Sequence, residues 1–387
     1  MKKTMHKIPL YAYYFPNWHV DGRNEKWHGK NWTEWEVVKC ARPRFEGHEQ
    51  PNVPLWGYED EADPLVMEKK IAAAKEYGVD GFIFDAYCFD DGPYRARCLD
   101  EGFLGAKNNA DLQFAVMWCN HDSIYAHPAP RFMQPPVLKS GKVSEEDFVR
   151  ITDGFIRDYF SRPNYIRAEG KILFIIYNIV RLCRDWGSAE RVRAALTGLR
   201  ERIRAAGLGE TMLGCHVPDV IGAFGDRKSA NDFLRYVGID EGVRYWWPTR
   251  HCDDARFEEY ALKVDYSVYV ARGLDRFRAD REFFDIPVNI DVCCGLDNSP
   301  RTIQSETYEN LECYPWGPVV VGRNVGDFRR ALTETKKIVQ SADYRGHFIT
   351  INSWNEWTEG NYLEPDTKYG YGFLQAIRDV FGKSGDK

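Results

Sequence analysis

The sequence predicts a (β/α)8 barrel with long βα loops, and three observations carry that prediction. Eight short apolar runs recur along the 387 residues, most of them ending in polar or aromatic residues. Helical patterns lie between them, and strands that alternate with helices argue for a parallel sheet. No Gly-rich phosphate turn follows any run, which weighs against the doubly wound alternative.

The runs, in order, are "IPLYAYYFP" (8–16), "GFIFDAYCFD" (81–90), "QFAVMWCNHD" (113–122), "KILFIIYN" (171–178), "TMLGCHVPD" (211–219), "VRYWWPT" (243–249), "IPVNIDVCC" (286–294) and "HFITINSWNE" (347–356). Each is apolar through most of its length, as strands covered on both faces should be. The stretch 63–78 reads as a helix, with Asp then Pro at its start and Gly at its end. Helical spacing continues at 145–160, 190–207 and 326–342, and a last helix is expected near 369–381. No low-complexity linker divides the chain, so one domain over 1–387 is expected. The segments 17–62 and 123–144 are long, and the first is full of Trp, Gly and Pro. Long loops after strands are where a barrel carries its function.

Composition narrows the partner. Hydrophobic residues make up 44% and charged residues 28%, an ordinary globular balance. The net charge is −6 with no Lys/Arg run, so nucleic acid is not expected as a partner. Aromatics reach 14%, with 12 Trp, many in polar company, which suits a cleft where sugar rings lie on flat side chains. A carbohydrate substrate is therefore expected. No stretch is long and apolar enough to span a membrane. The start, "MKKTMHKIPL", is basic without an apolar h-region. A cytoplasmic location is expected, or a periplasmic or exported one if a leader has been cut away. The ten cysteines form no CxxC, and Cys88, Cys119 and Cys215 read as small buried hydrophobes. No cofactor is called for, and oligomeric state is not readable.

In a barrel, active-site residues come from the C-terminal ends of the strands. The first run ends in Tyr13 and Tyr14, and the second offers Asp85 and Tyr87. Trp118, Asn120 and His121 follow in the third, Tyr177 in the fourth, and His216 in the fifth. Trp246 and Trp247 come from the sixth, Asp291 from the seventh, and Trp354, Asn355 and Glu356 from the eighth. Tyr362 lies just beyond. The long first loop adds Trp32, Glu34 and Trp35 in "WTEW". Glu34 either binds sugar hydroxyls or belongs to a packed loop with a salt bridge. Asn120, His121 and Asp122 lack a third convergent ligand, so no metal is expected.

Glycoside cleavage needs two carboxyl groups, one acidic and one basic. Glu356 and Glu359 are the sharpest pair, three residues apart and flanked by tryptophan. Close carboxylates raise each other's pKa, and burial against tryptophan does the same. The competing reading has Glu359 in a turn at Gly360 and Glu356 paired with an arginine.

"YAYYFPNWH", "WTEW", "FEGHEQPNVPLWGYEDEADPLVMEKKIAAAKEYGVDGFIFDAY" and "INSWNEWTEGNYLEPDTKYGYGFLQAI" together resemble the glycoside hydrolase family 99-like proteins, including the WbsX-like proteins of polysaccharide gene clusters. The resemblance covers both ends of the chain and implies a (β/α)8 barrel. In family 99, an endo-acting α-mannosidase family, the paired acids lie in a Glu-Trp-x-Glu-Gly motif, here Glu356 to Gly360. The resemblance implies that Glu359 is the acid/base at the glycosidic oxygen and that Glu356 deprotonates the sugar 2-hydroxyl, with retention and no enzyme nucleophile. Thr358 stands where family 99 has His, so the subsite pattern is expected to differ. The function implied is a glycoside hydrolase. The alternatives are a WbsX-like transferase building surface polysaccharide and a catalytically silent carbohydrate-binding barrel.

Overall fold

The computed structural model describes residues 7–247 and 262–382. Among them, eight parallel strands succeed one another: β1 (Leu10–Tyr14), β2 (Gly81–Phe89), β3 (Gln113–Trp118), β4 (Lys171–Ile176), β5 (Thr211–His216), β6 (Glu241–Val243), β7 (Ile290–Cys293) and β8 (Ile349–Asn352). Their order in the sheet is β6-β5-β4-β3-β2-β1-β8-β7. The ring closes where Gly242 of β6 bridges Val288, just before β7. There Gly242 N donates to Pro287 O at 2.8 Å and Asn289 N donates to Gly242 O at 2.9 Å. β1 sits between β2 and β8, in register Tyr11 with Gly81 and with Thr350. This neighbourhood later brings the loops after β1, β7 and β8 together.

The strand bodies are buried because helices cover the outside and side chains fill the inside. The covering helices are α1 (Pro64–Tyr77), α2 (Glu145–Phe155), α3 (Ala189–Ala205), α4 (Arg227–Val237), α5 (Tyr266–Phe283), α6 (Val325–Val339) and α7 (Gly372–Phe381). Local chemistry explains their ends. Asp63 caps α1 by accepting from Leu65 N, Pro64 occupies its first turn, and Gly78 leaves it at φ 88°. Ser144 and Asp147 form a reciprocal capping box on α2. Between β2 and β3 a π-helical turn, Cys98–Phe103, stands in place of a regular helix.

Two strand boundaries differ from the sequence expectation. The fifth run was expected to reach residue 219, but a helix, Val217–Phe224, begins directly after His216, with Pro218 in its first turn. The sixth strand lies upstream of the aromatic run that suggested it, at Glu241–Val243. Glu241 looks like a surface residue in sequence, yet it is fully buried. His347 Nδ1 at 2.8 Å and Asn289 Nδ2 at 3.1 Å both contact its Oε2, and Oε1 is buried without a hydrogen-bond partner. Residues 248 and 249 of the expected run lie outside the described residues.

Trp247 leaves the strand end and packs over α5. Its indole lies where a Cβ on Gly273 would sit, 2.1 Å from Cδ2, and its Nε1 donates to Asp291 O at 2.9 Å. Gly273→Ala should therefore cost about 1–3 kcal/mol of stability through overpacking. Denaturant unfolding measures this, and an unchanged midpoint would contradict the contact.

Candidate active site

The chain leaving β8 makes a small hairpin, Asn355–Glu356 against Asn361–Tyr362. A 3₁₀ turn, Trp357–Glu359, joins its arms, and residues three apart on such a turn project to the same side. Glu356 and Glu359 are thus neighbours. Gly360 closes the turn at φ 61°, where a Cβ would come within 2.8 Å of Asp297 Cβ, so this position requires glycine. Asn355 ties the hairpin to the exit of β1: its Nδ2 donates to Phe15 O at 2.9 Å, and its Oδ1 accepts from Phe15 N at 2.8 Å. Trp354 and Trp357 form the underside, both donating from Nε1 to Glu364, at 2.8 and 2.7 Å.

One guanidinium holds the carboxyl groups. Arg301, in the loop after β7, reaches Glu356 Oε2 at 3.0 Å, Glu359 Oε1 at 3.2 Å and Glu34 Oε1 at 3.2 Å. Its Nε donates to Thr358 Oγ1 at 2.8 Å, and Thr358 donates to Glu34 Oε1 at 2.5 Å. Tyr314 also contacts Arg301 and donates to Glu359 Oε1 at 3.3 Å. Glu34 is sealed from solvent, with Asn17 Nδ2 on its other oxygen at 2.5 Å and His127 Nε2 3.3 Å from Oε1. Its cationic neighbours hold its carboxyl well below the usual carboxylate range.

A cavity of about 270 Å³ opens above this cluster, lined among others by Asp85, Tyr87, His121, Tyr177, Tyr245, Trp246, Glu356 and Glu359. The Tyr245 hydroxyl lies 2.7 Å from Asp85 Oδ2 and 3.1 Å from Glu356 Oε1. A phenol has one proton, so for both contacts to be hydrogen bonds one carboxyl must itself be protonated and donate to the phenol oxygen. The electrostatics agree. Burial pushes Asp85 up to about 8. Burial, then the charge of Glu359, pushes Glu356 well above the ordinary glutamate value, against the pull of Arg301. His121 and His216 are pushed down by burial and are neutral near pH 7. Among the described residues, no group of three or more His, Cys, Asp and Glu side chains converges as metal ligands do.

The structure brings part of the expected set to the cavity. Asp85, Tyr87, His121, Tyr177, Trp246, Glu356 and Glu359 line it. His216 stands just behind, stacked on Tyr177 at 4.8 Å and 5.4 Å from Trp246 between ring centres, with its Nε2 unpartnered. Tyr13 is fully buried beneath Tyr245, ring centres 4.9 Å apart. Glu34 supports Arg301 from below, so the salt-bridged reading of "WTEW" is the one observed. Trp32 is half-buried against His28, 4.1 Å between centres.

The other expected residues do not reach the cavity. Trp35 is packed between Trp18 and Trp357, and Tyr14 points at Met67. Trp118 donates to Cys88 O and packs on Phe148. Asn120 is spent on the backbone of Asn178, donating at 2.9 Å and accepting at 2.8 Å. Trp247, Trp354 and Asn355 are structural, as described above, and Tyr362 stacks under Trp357 at 3.8 Å. Asp291 is buried beside Thr350 and Cys293, and that burial raises it to about 7. In each of these cases an aromatic or polar residue near a strand end turns to the core or to a backbone partner.

Sequence reasoning missed Tyr245, Arg301, Tyr314, His127 and Arg95. Tyr245 could have been found: it sits inside the aromatic run, beside the two tryptophans that were chosen. Arg301 and Tyr314 lie in an irregular loop with no periodicity to single them out.

The family described as Glycosyltransferase WbsX matches residues 10–377. Two chains described as uncharacterized protein WxcX, from Xanthomonas campestris pv. campestris strains B100 and ATCC 33913, are each 26% identical over 381 residues. That alignment covers 97% of this chain and 50% of each relative, so the chain spans about half their length. A GH99 endo-α-mannosidase from Bacteroides thetaiotaomicron superposes with TM-score 0.52 at 14% identity over 96% of both chains. A structure described as a glycoside hydrolase-like protein superposes with TM-score 0.57 at 14% identity, over 99% of this chain and 96% of its own. At such identities the likeness is one of fold, and the resemblance read from the motifs holds at the level of family and barrel.

The proton on Asp85 is bound more tightly in the folded chain than in the unfolded one. The stability tied to it is therefore present below the ordinary aspartate range and is lost as pH rises through about 8. Asp85→Asn, which mimics the neutral acid, should come nearest the wild type in melting temperature below pH 4, gain on it steadily as pH rises, and exceed it by a constant margin above pH 8. Parallel melting curves across that range would show that Asp85 is not held neutral.

Proposed function

The chain belongs to the family described as Glycosyltransferase WbsX, and from that membership and its cavity we propose that it hydrolyses an O-glycosidic bond of a polysaccharide or oligosaccharide with retention of configuration. One observation carries the reading: Arg301 holds Glu356 and Glu359 side by side on one wall of a buried cavity. Retaining enzymes with a carboxylate nucleophile place their two groups roughly 5 Å apart, flanking the scissile bond, and inverting ones about 6.5–9.5 Å. Two acids on a single turn suit a route in which the sugar supplies its own nucleophile.

In that route the substrate 2-oxygen attacks C1, the C1–O glycosidic bond breaks, and a 1,2-anhydro sugar forms. Glu356 takes the 2-hydroxyl proton, and Glu359 gives its proton to the leaving oxygen. Water then attacks C1 and the C1–O2 bond breaks; the water passes a proton to Glu359 while Glu356 returns its proton to O2. Two inversions at C1 give net retention. Burial favours a resting proton on Glu356; in this route a bound sugar's donating 2-hydroxyl favours ionised Glu356, and the proton moves to the neighbouring acid that meets the glycosidic oxygen. Tyr245 and Arg301 both face the Glu356 carboxyl and stabilise its charged form.

Glu356→Gln and Glu359→Gln should each lower turnover by roughly 10²–10⁴-fold with the fold intact. A screen of polysaccharides for released reducing ends supplies the substrate. The first product should keep the substrate's anomeric configuration by NMR, and a 2-deoxy analogue should bind without being cleaved. Cleavage of that analogue at a comparable rate would remove the 2-hydroxyl from the mechanism. The family description favours a second reading, a transferase, which would form product only when a sugar nucleotide is supplied.

Trp246 is 41% exposed at the cavity rim, whereas Trp247 is 1% exposed. Trp246→Ala should weaken glycan affinity and leave the melting temperature in place. Trp247→Ala should instead cost about 3–5 kcal/mol of stability. Calorimetry and thermal unfolding separate the two, and equal stability losses in both would remove Trp246 as a platform.

A further inference from the structure

Two guanidinium groups line the cavity, and they differ in one respect. Arg301 is matched by three carboxyl groups. Arg95 is matched by none among the described residues. It is only 8% exposed, and its Nε has no hydrogen-bond partner. Instead, its guanidinium carbon sits 4.5 Å from the Tyr94 ring centre, 4.7 Å from Tyr87 and 4.9 Å from Phe15. Glu34 contributes negative potential there, but its oxygens are engaged by Thr358, His127, Arg301 and Asn17. Asp85, neutral below about 8, supplies no lasting counterion near pH 7.

The backbone of Arg95 is held in place as firmly as its side chain. The residue adopts φ 60°, a left-handed conformation that side chains rarely take. Its N–H donates to Asp21 Oδ2 at 3.1 Å, and its carbonyl lies 3.3 Å from His19 Nε2. A strained residue persists when its surroundings over-determine it, and such residues cluster at ligand-binding sites. A buried cation stacked on aromatic rings, with no anion against it, is stabilised only in part. The planar fork of a guanidinium matches an oxyanion with two parallel hydrogen bonds.

We propose that Arg95 is an anion-recognition residue and that the cavity takes an acidic sugar, one bearing a carboxylate or another oxyanion, with Arg95 as its counterion. The proposal rests on the reading of the cavity as a glycan site and narrows it from any sugar to a charged one. The anion supplies the counterion that the protein withholds. The rings of Phe15, Tyr87 and Tyr94 exclude water from the pair and strengthen it.

The test measures binding, so it does not depend on turnover. The methyl glycosides of D-glucuronate, D-galacturonate, glucose 6-sulfate, glucose 6-phosphate and glucose are titrated into the wild type, Arg95→Met and Arg95→Lys, with melting curves recorded for each protein. At least one acidic sugar should bind about tenfold or more tighter than methyl glucoside, as charge-assisted hydrogen bonds allow. That preference should shrink with added salt. Arg95→Met should bring the acidic sugar to the level of glucose, costing the acidic sugar far more than it costs glucose, while Arg95→Lys should keep a reduced preference. Uronates alone binding tightly identifies a carboxylate, and the 6-esters alone identify a sulfate or phosphate. No acidic preference in the wild type, or equal losses for acidic and neutral sugars in a folded Arg95→Met, would overturn the proposal. Should Arg95→Met fail to fold, the wild-type preference and Arg95→Lys decide. Arg95-dependent acidic binding without cleavage of any glycan would leave this inference standing and sink the hydrolase reading. Cleavage of uncharged glycans with no acidic preference would do the reverse.

Discussion

Arg301 is the interaction on which the rest of the site depends. One guanidinium faces Glu34, Glu356 and Glu359, and a fourth contact goes to Thr358. A single positive charge in a buried, weakly screened place does not sustain three negative ones, so a proton enters the cluster. Burial is the larger cause of the rise on Glu356, and the charge of Glu359 beside it adds to it. The same contacts do mechanical work. They join the long loop after β1, the loop after β7 and the turn after β8 at one point. Without Arg301, Glu34 on the first of these segments and Glu356 and Glu359 on the last would lack their cation, which is the costly case for buried charge.

The barrel makes that junction possible. β7, β8 and β1 are consecutive in the sheet, so their C-terminal loops emerge side by side. Below the turn lies a second buried charge cluster. Lys70 of α1 pairs with Glu61 and with Glu364, the latter at 2.5 Å, and Asn355 Nδ2 reaches Glu61 Oε1 at 3.1 Å. Burial raises Glu61 to about 7. Trp354 and Trp357 hold Glu364 from above. The catalytic candidates thus sit on a turn whose underside is fixed by directional contacts. Its upper face is left to the cavity.

Fold and family are those of carbohydrate-active enzymes, but barrels host many chemistries, and function has to be argued from the site. Here the site is asymmetric. One wall carries carboxyl groups arranged around Arg301 and Tyr245. Another part of the wall is aromatic and cationic, with Arg95 against Phe15, Tyr87 and Tyr94. Trp246, with Tyr177 and His216 behind it, offers a flat apolar surface beside them. A sugar ring has apolar faces and polar edges, and the cavity presents partners for both. The chain covers about half the length of the curated relatives it matches.

The sequence by itself determined the barrel and the acid pair. Strands covered on both faces are apolar along most of their length, so all but the sixth left a continuous run that is legible without tertiary contacts. Asp63, Pro64 and Gly78 announced the ends of α1, because capping is chemistry between near neighbours. Glu356 and Glu359 were legible for the same reason: a short turn fixes their relation. Only the tertiary structure decided the rest. Tyr245 meets Asp85 across 160 residues and Glu356 across 111, and Arg301 meets Glu356 across 55. Past a strand's end the two-residue alternation stops, so nothing in the order of Tyr245, Trp246 and Trp247 says which ring faces the cavity. Gly273, leaving room on α5, sends Trp247 inward. Glu241 shows the same limit, since a buried strand carboxylate is readable only when His347 and Asn289 are seen beside it. Local order reveals what local forces set, and side chains that converge from distant loops are placed by packing that no single segment contains.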